Sequence, residues 1–220
     1  MKKKSILMAA IAVMLVAVLV VGGTLAYFTD TKSATNTFTV GDVKIKLDES
    51  NVNDPDGDRV TSNEYTGMLP GIQYKKDPVV TNTGKNGAYV RAVVTIENGM
   101  NWLGLYNENV WTAPQAEAFM KLICNKMGDG WSLEDYDYVT NAERGSTDFV
   151  AVLKYDGVLA AGKATSAMFE KVMLPTNATA SDITTRVAQN GVFHIDVVAQ
   201  AIQADGFTTW ENAFAAFDAK

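Results

Sequence analysis

Alternating apolar and polar residues mark three segments of the chain as half-buried β-strands. In the segments 43–47, 90–96 and 193–201, every second residue is apolar. Because successive side chains of a strand point to opposite faces, this pattern predicts strands with one buried face and one wetter face. Such strands, separated by turn signals, are typical of a mainly β protein, here an antiparallel β-sandwich or jelly roll.

Two further strands are predicted in the second half of the chain. Residues 149–155 form a short apolar run, and the Asp-Gly turn signal at 156–157 is followed by a candidate returning strand at 158–159. Residues 165–174 are also predicted to form a strand, which Pro175 stops. These segments extend the framework of strands over most of the chain.

Two helices interrupt the strands. A capping box at 112–115 opens a helix predicted at about 113–127, which Gly128 ends. A second box at 208–211 opens a helix at about 209–218. Both helices are expected to cover a face of a sheet. The alternative for the second helix is an assembly surface formed by its three aromatic residues, Trp210, Phe214 and Phe217.

The N-terminus has the layout of a secretory signal peptide. Lys2–Lys4 precede the apolar run Ile6–Val21, and two glycines then break any helix. Small residues at positions −3 and −1 predict cleavage between Ala26 and Tyr27, so that residues 1–26 are removed. The run is slightly long for a signal peptide and slightly short for a membrane span, so an uncleaved anchor is the alternative.

Three stretches of the chain resemble the TasA/camelysin family of Gram-positive bacteria. Residues 22–47 carry an aromatic residue and an acid directly after Ala26, and then a family phrase matched by Phe38, Gly41 and Ile45. Residues 69–84 are similar to a family block in which L-P-G precedes a strand that ends in N-x-G, and residues 193–207 resemble the last family strand.

The resemblance implies an exported protein, processed by a signal peptidase of the SipW type, in the extracellular matrix or on the cell surface of a Gram-positive bacterium. It also implies that the protein contacts the membrane only before its signal peptide is cleaved. The TasA branch of the family also implies fibres built by donated N-terminal strands. We therefore expect residues 38–220 to form a single β-sandwich domain that is preceded by a separate N-terminal segment.

That segment, residues 27–37, is rich in threonine and lacks proline. Such a sequence suits a strand, and a terminal strand can pair with an open sheet edge of a neighbouring copy. A head-to-tail contact of this kind does not close, so it builds a filament. The alternative is a frayed or self-paired terminus. The expected assembly residues, with Phe28 filling a pocket, are Tyr27, Phe28, Thr29, Asp30 and Phe38.

The camelysin branch of the family is associated with metallo-endopeptidase activity, which the residues of this chain do not support. Catalytic zinc sites draw on sets such as three histidines or two histidines and a glutamate, and His194 is the single histidine. It is expected to be a half-exposed strand residue. The chain also lacks a G-x-S-x-G motif. We predict no catalytic residue, no metal and no cofactor.

The composition of the chain argues against some classes of partner and site. The net charge is −6 and the basic residues form no cluster after Lys4, which argues against nucleic acid. The single cysteine, Cys124, cannot form an internal disulfide and is expected to be a small buried apolar residue. Residues 48–67 form an acidic loop whose spacing does not match an EF-hand, so we expect a solvated or flexible hairpin loop rather than a calcium site.

The sequence therefore favours a secreted structural subunit of an extracellular fibre or biofilm matrix that assembles with copies of itself. Matrix or cell-wall components are further candidate partners. Two alternatives from other classes stay open: a secreted hydrolase of the camelysin type, and a monomeric surface module that binds a glycan or a protein.

Overall fold

The computed structural model describes residues 42–104, 115–143, 145–182 and 194–219. In this part of the chain the protein is mainly β, as predicted, with short helices between the strands. The strands are β1 (Ile45–Asp48), β2 (Gln73–Lys75), β3 (Val79–Asn82), β4 (Ala88–Ile96), β5 (Trp131–Asn141), β6 (Ser146–Tyr155), β7 (Lys171–Met173) and β8 (Ile195–Gln203). The helices are α1 (Gly99–Gly104), α2 (Gln115–Leu122), α3 (Ala180–Asp182) and α4 (Trp210–Asp218).

Every strand pairing among the described residues is antiparallel. One sheet has four strands in the order β5-β6-β4-β8, and two smaller sheets pair β1 with β3 and β2 with β7. In the large sheet, β4 is central, with Val94 opposite Ala151 of β6 on one side and Val197 of β8 on the other. β5 and β8 are therefore the two edge strands of this sheet.

The core lies on the inner face of the large sheet. Buried and half-buried residues alternate along the whole of β4, and its inward residues from Val90 to Ile96 are fully buried. They belong to one apolar cluster with Val80 of β3, Phe119 of α2 and Val172 of β7. Small sheets and a helix thus pack across from the large sheet, which confirms the antiparallel sandwich class.

Helix α4 covers the outer face of the large sheet. Thr209 caps it by accepting a hydrogen bond from the backbone N–H of Asn212 at 3.2 Å, one residue later than the cap predicted at Thr208. Trp210 and Phe214 are buried, and Trp210 Nε1 donates to the carbonyl of Val90 at 2.9 Å. The helix is therefore a cover, and the alternative that its aromatic residues form an assembly surface is wrong for the two that are buried.

Helix α2 is shorter than predicted. It runs from Gln115 to Leu122 rather than over 113–127, and the proposed cap at Thr112 lies outside the described residues. Cys124 and Asn125 have left-handed backbones with φ of 58° and 59°, which ends the helix before Gly128. Gly128 has another role, because a Cβ there would lie 1.6 Å from the carbonyl oxygen of Ala167.

Two strand predictions need correction. Only Lys171–Met173 of the predicted strand 165–174 is a strand, because the adjacent residues Met168 and Phe169 are both fully buried, which a two-residue alternation does not allow. Gly157 has φ of 77° and turns the chain as expected. However, Leu159 then bridges to Ala88 instead of returning along β6.

Strand β5 was not predicted at all. Its sequence, WSLEDYDYVTN, contains three acids and does not alternate cleanly. It forms because it pairs with β6 along its whole length, from Trp131 opposite Tyr155 to Asn141 opposite Ser146. The tertiary partner overrides a weak local signal.

Candidate docking groove

The predicted assembly and cleavage residues, Ala26, Tyr27, Phe28, Thr29, Asp30 and Phe38, all lie outside the described residues. Phe193 of the predicted last strand does so as well. The structure does describe what such a terminal strand would need, which is a sheet edge able to receive it. The two edges of the large sheet are therefore the starting point for a functional site.

The hydrogen bonds of β8 decide which of its main-chain groups face outward. Glu97 N–H donates to the carbonyl of His194 at 3.0 Å, and Ala204 N–H donates to the carbonyl of Gly87 at 2.9 Å. The register between these two bonds is continuous, and hydrogen-bonded pairs alternate in an antiparallel ladder. Even-numbered residues of β8 therefore direct their N–H and C=O groups toward β4, and odd-numbered residues direct theirs to the open side.

No strand pairs with this open side of β8 within the described residues. The residues whose main-chain groups point outward also have apolar side chains that pack against the core: Ile195, Val197, Ala199 and Ala201. On the other face, Val198 is 54% exposed. The edge of β8 thus offers main-chain hydrogen-bonding groups next to apolar side chains, with Asp196 as its one charged residue.

The opposite edge, β5, has the features that discourage strand addition. Its pairing with β6 shifts between Leu133 and Asp135, so a bulge interrupts the ladder at Glu134. Glu134, Asp135 and Asp137 are exposed carboxylates at and beside that bulge. Bulges and charges are the usual means by which proteins protect an edge strand.

A groove of about 1080 Å³ adjoins the first half of β8. Its walls are the end of β1, residues 61–68, the end of β7 and residues 194–198. Its apolar lining includes five side chains of these elements: Leu47, Met68, Leu174, Ile195 and Val197. The groove therefore opens beside the unpaired edge of β8 and leads between the sheets.

An ion pair lies in the wall of this groove. Lys76 Nζ is 2.9 Å from Glu49 Oε2, and the two residues are only 8% and 5% exposed. Within the part of the chain that the structure describes, this is the only hydrogen bond of either side chain. A buried ion pair is costly unless its remaining donors and acceptors are also satisfied, so this pair is an unusual feature of the groove wall.

Arg59 fastens the acidic segment that leads to the groove. Its Nε donates to Asp48 Oδ1 at 2.5 Å, and its Nη2 donates to the carbonyl oxygens of Asp48 and Asp77. Glu49 and Val60 form a two-way backbone bridge at 2.8 Å. The bridge closes a hairpin within segment 48–67, as expected, and its tip with Asp54, Asp56 and Asp58 is exposed, while Arg59 ties its base.

The acids around Arg59 are held in their charged form. Burial raises the pKa of Asp48, but hydrogen bonds from Lys46 and Arg59 outweigh this effect and leave the pKa below its usual value. Burial also raises the pKa of Asp77, and hydrogen bonds from Ser50 together with the charge of Arg59 bring it below the usual value. These carboxylates stabilise the fold of the groove wall as anions.

Tyr65 supports the same wall. Its hydroxyl donates to the carbonyl of Lys75 at 2.6 Å, and its ring meets that of Tyr74 edge to face at 6.3 Å between centroids. Burial, followed by the nearby charges of Glu49 and Asp77, raises the pKa of the Tyr65 phenol well above its usual value. The hydroxyl is therefore a donor at all physiological pH values.

His194 lies at the rim of the groove and is exposed, one residue before β8 begins. Its Nδ1 is 2.5 Å from Oε2 of the buried Glu97. No group of three or more His, Cys, Asp or Glu side chains that suits a metal occurs among the described residues. A catalytic zinc ion therefore does not fit the donor set of the described residues.

Cys124 is half-buried rather than buried as predicted, because it occupies the left-handed turn after α2. Burial raises the pKa of its thiol, and the charge of Lys171 only partly opposes this. A raised pKa disfavours the thiolate, which is the reactive form. Cys124 is therefore poorly suited to act as a nucleophile.

Sequence reasoning missed the groove and its ion pair. Glu49 and Lys76 are 27 residues apart, and neither lies in a recognisable motif. The alternation in residues 193–201 did identify the strand β8, but a pattern along one strand contains no information on whether its outer side has a partner. Separately, among the described residues no helix has the length and apolar character needed to cross a membrane.

Comparisons with known proteins support the resemblance in the N-terminal part. Residues 1–84 match the model of a family described as camelysin metallo-endopeptidase. Comparison with curated proteins found no match, and neither did comparison with solved structures. The matched region includes β1, β2 and β3 but not β8. The first 84 residues of the chain are thus similar to the camelysin family, which confirms the TasA/camelysin resemblance in that part of the chain.

Proposed function

We propose that this chain is a secreted structural subunit of an extracellular fibre or biofilm matrix. In this proposal, residues 27–37 of one copy add as a strand to the open edge of β8 in the next copy. The observation that carries the proposal is the unpaired outer side of β8 in the described structure, where main-chain groups and apolar side chains border a groove between the sheets.

The energetic basis is strand addition. An extended segment that joins a sheet edge gains main-chain hydrogen bonds, and pockets for alternate side chains supply specificity. Apolar area removed from water contributes about 25 cal/mol per Å², and the groove offers such area at Leu47, Ile195 and Val197. Because the donor segment and the acceptor edge are different surfaces, the contact is head-to-tail and continues into a filament.

The N-terminal sequence supports export before assembly. The match to the camelysin family covers the signal-like residues 1–26, and TasA/camelysin proteins are secreted or surface proteins. Cleavage between Ala26 and Tyr27 by a SipW-type signal peptidase would free the donor segment only outside the cell. We expect N-terminal sequencing of the exported protein to begin at Tyr27, and a product that retains Lys2 would contradict this step.

A peptidase is the weaker candidate. The family name is that of a metallo-endopeptidase, but the chain has one histidine, and that residue contacts Glu97 at the rim of the groove. A monomeric binding module would explain the groove but not the open edge beside it. The fibre subunit accounts for both features together.

The direct test removes the donor segment. The chain beginning at Tyr27 is compared with a chain that lacks Tyr27 to Asn36, using electron microscopy and sedimentation velocity. We expect fibres or large species from the first and monomers from the second. Thermal unfolding should be cooperative in both, because the buried side chains of β4 and β6 do not depend on the deleted residues.

Two results would overturn the proposal. One is that the shortened chain forms the same fibres, and the other is that the chain beginning at Tyr27 stays monomeric at high concentration. A synthetic peptide of residues 27–40 provides an independent measurement, since it should bind the shortened chain and should not bind the complete chain already assembled into fibres.

A further inference from the structure

The N-terminal segment contains a regular pattern of hydroxyl groups. Every odd-numbered residue from 29 to 39 is a threonine or a serine. The even-numbered residues between them include the charged pair Asp30 and Lys32. In a strand, side chains alternate between the two faces, so one face of this segment would present six hydroxyls and the other face would present the charges. The hydroxyl face consists of Thr29, Thr31, Ser33, Thr35, Thr37 and Thr39.

The wall of the groove contains two side chains that are able to hydrogen-bond to hydroxyl groups. Lys76 and Glu49 are both more than nine-tenths buried, and in the described structure they hydrogen-bond only to each other. An ammonium has three donors, and a carboxylate accepts at two oxygens. Each side chain therefore has hydrogen-bonding capacity that its partner leaves unused, in the wall of a groove that is also lined by Leu47, Ile195 and Val197.

The pair also restricts what an occupant can place against it. Its net charge is zero, so a charged group brought close to it would be buried with an excess charge, which is unfavourable. An apolar group would leave the spare donors and acceptors without partners. A hydroxyl is neutral and both donates and accepts, so it satisfies the pair without adding charge.

We propose that Lys76 and Glu49 select the hydroxyl face of residues 29–39 from a second copy of this chain. This inference rests on the proposed function and specifies which side of the donor strand enters the groove. Asp30 and Lys32 then lie on the wet outer face, beside the exposed Val198. Phe28 lies on that outer face too, which differs from the expectation that it fills a pocket.

The test is a substitution cycle in the complete chain beginning at Tyr27. The first variant replaces Thr29, Thr31, Thr35 and Thr37 by valine, which has nearly the same shape but no hydroxyl. The second variant is Lys76→Met with Glu49→Met, since an apolar replacement of a buried ion pair is often neutral for folding. The critical concentration for assembly is measured by sedimentation, with thermal unfolding as a check on the fold.

We expect each of these variants to raise the critical concentration at least tenfold. Their combination should restore assembly to within about threefold of the parent, because valines then meet an apolar wall. The matched control, Asp30→Asn with Lys32→Gln, changes only the outer face and should stay within threefold of the parent. If the methionine variant does not fold, Glu49→Lys with Lys76→Glu keeps a neutral pair and should assemble as the parent does.

The inference is overturned if the valine variant assembles as well as the parent, or if combining the two variants gives no recovery. It is also overturned if Phe28→Ala, rather than the valine variant, removes assembly. Failure of the proposed function looks different, because in that case the parent chain itself does not assemble or the chain without Tyr27 to Asn36 still does.

Discussion

The two edge strands of the large sheet differ in the features that hinder the addition of another strand. β5 has eleven residues, a bulge at Glu134 and exposed carboxylates, whereas β8 has nine residues, continuous register and a single charge at Asp196. Both strands are edges of the same sheet. β5 pairs with β6, which pairs with β4, whereas β8 pairs with β4 directly. One edge is therefore protected against other strands, whereas the other is open in the described part of the chain.

The residues that surround the two edge strands differ as well. Beside β8 lies the groove with Leu47 and Ile195 in its walls. β5 is exposed over much of its length, and Tyr138 contacts Phe149 of the neighbouring β6 edge to face at 5.6 Å between centroids. An added strand would therefore bury apolar side chains at β8, but at β5 it would meet carboxylates that lose hydration.

The largest expected effect comes from blocking the main-chain groups of β8. The N–H of Ala199 points away from β4, so Ala199→Pro removes an outward donor and leaves the β4–β8 ladder intact. We expect fibres to disappear in electron microscopy while thermal unfolding stays cooperative. Ala199→Val, which keeps the N–H, is the matched control and should assemble. Fibres formed by the proline variant would show that β8 is not the acceptor.

A smaller effect is expected from exposed side chains at the two edges. Val198 on β8 and Val139 on β5 are 54% and 48% exposed, so they form a matched pair. A cross-strand side-chain pair contributes about 0.2–1 kcal/mol. Val198→Lys should therefore raise the critical concentration up to about fivefold, and Val139→Lys should leave it unchanged. Equal effects at both positions would remove the distinction between the edges.

Acid should loosen the wall beside β8 before it affects β5. The folded-state pKa values of Asp48 and Asp77 are lowered, so their contribution to stability is complete above the ordinary pKa of 3.8 and is lost as the pH falls below it. Hydrogen exchange in residues 48–67 should accelerate below about pH 4, ahead of exchange in β5 and β6.

The matched variant for this prediction is Asp48→Asn. It should lower the free energy of unfolding at neutral pH, and the difference from the parent should shrink as the solution becomes more acidic than the folded-state pKa. A difference that grows with acidity would contradict the role of Asp48 as a buried anion paired with Arg59.

The smallest effect is expected at His194. The residue is exposed and sits before the first outward-facing residue of β8, so His194→Ala should leave the critical concentration within about twofold of the parent. Peptidase assays with and without a chelator should give no activity that depends on this residue. Proteolysis that disappears in the folded His194→Ala protein would favour the camelysin-type enzyme instead.

The elements with a strong local pattern could be predicted from the sequence alone. Alternation predicted β1, β4 and β8, a short apolar run predicted most of β6, and a capping box predicted α4. These predictions succeed because the spacing of apolar residues along the sequence shows which side of a strand or helix is buried. The limits of the helix α2 could not be read in this way, since they depend on two residues, Cys124 and Asn125, that adopt left-handed backbones.

Contacts between distant segments determine which strands are neighbours and which edge is open among the described residues. β5 forms because β6 pairs with it, and the ion pair joins Lys76 to Glu49 across 27 residues of chain. Such contacts depend on closing loops and matching registers between distant segments, which no local pattern encodes. The groove beside β8 is therefore a product of the fold, whereas the alternating hydroxyls of residues 29–39 were present in the sequence all along.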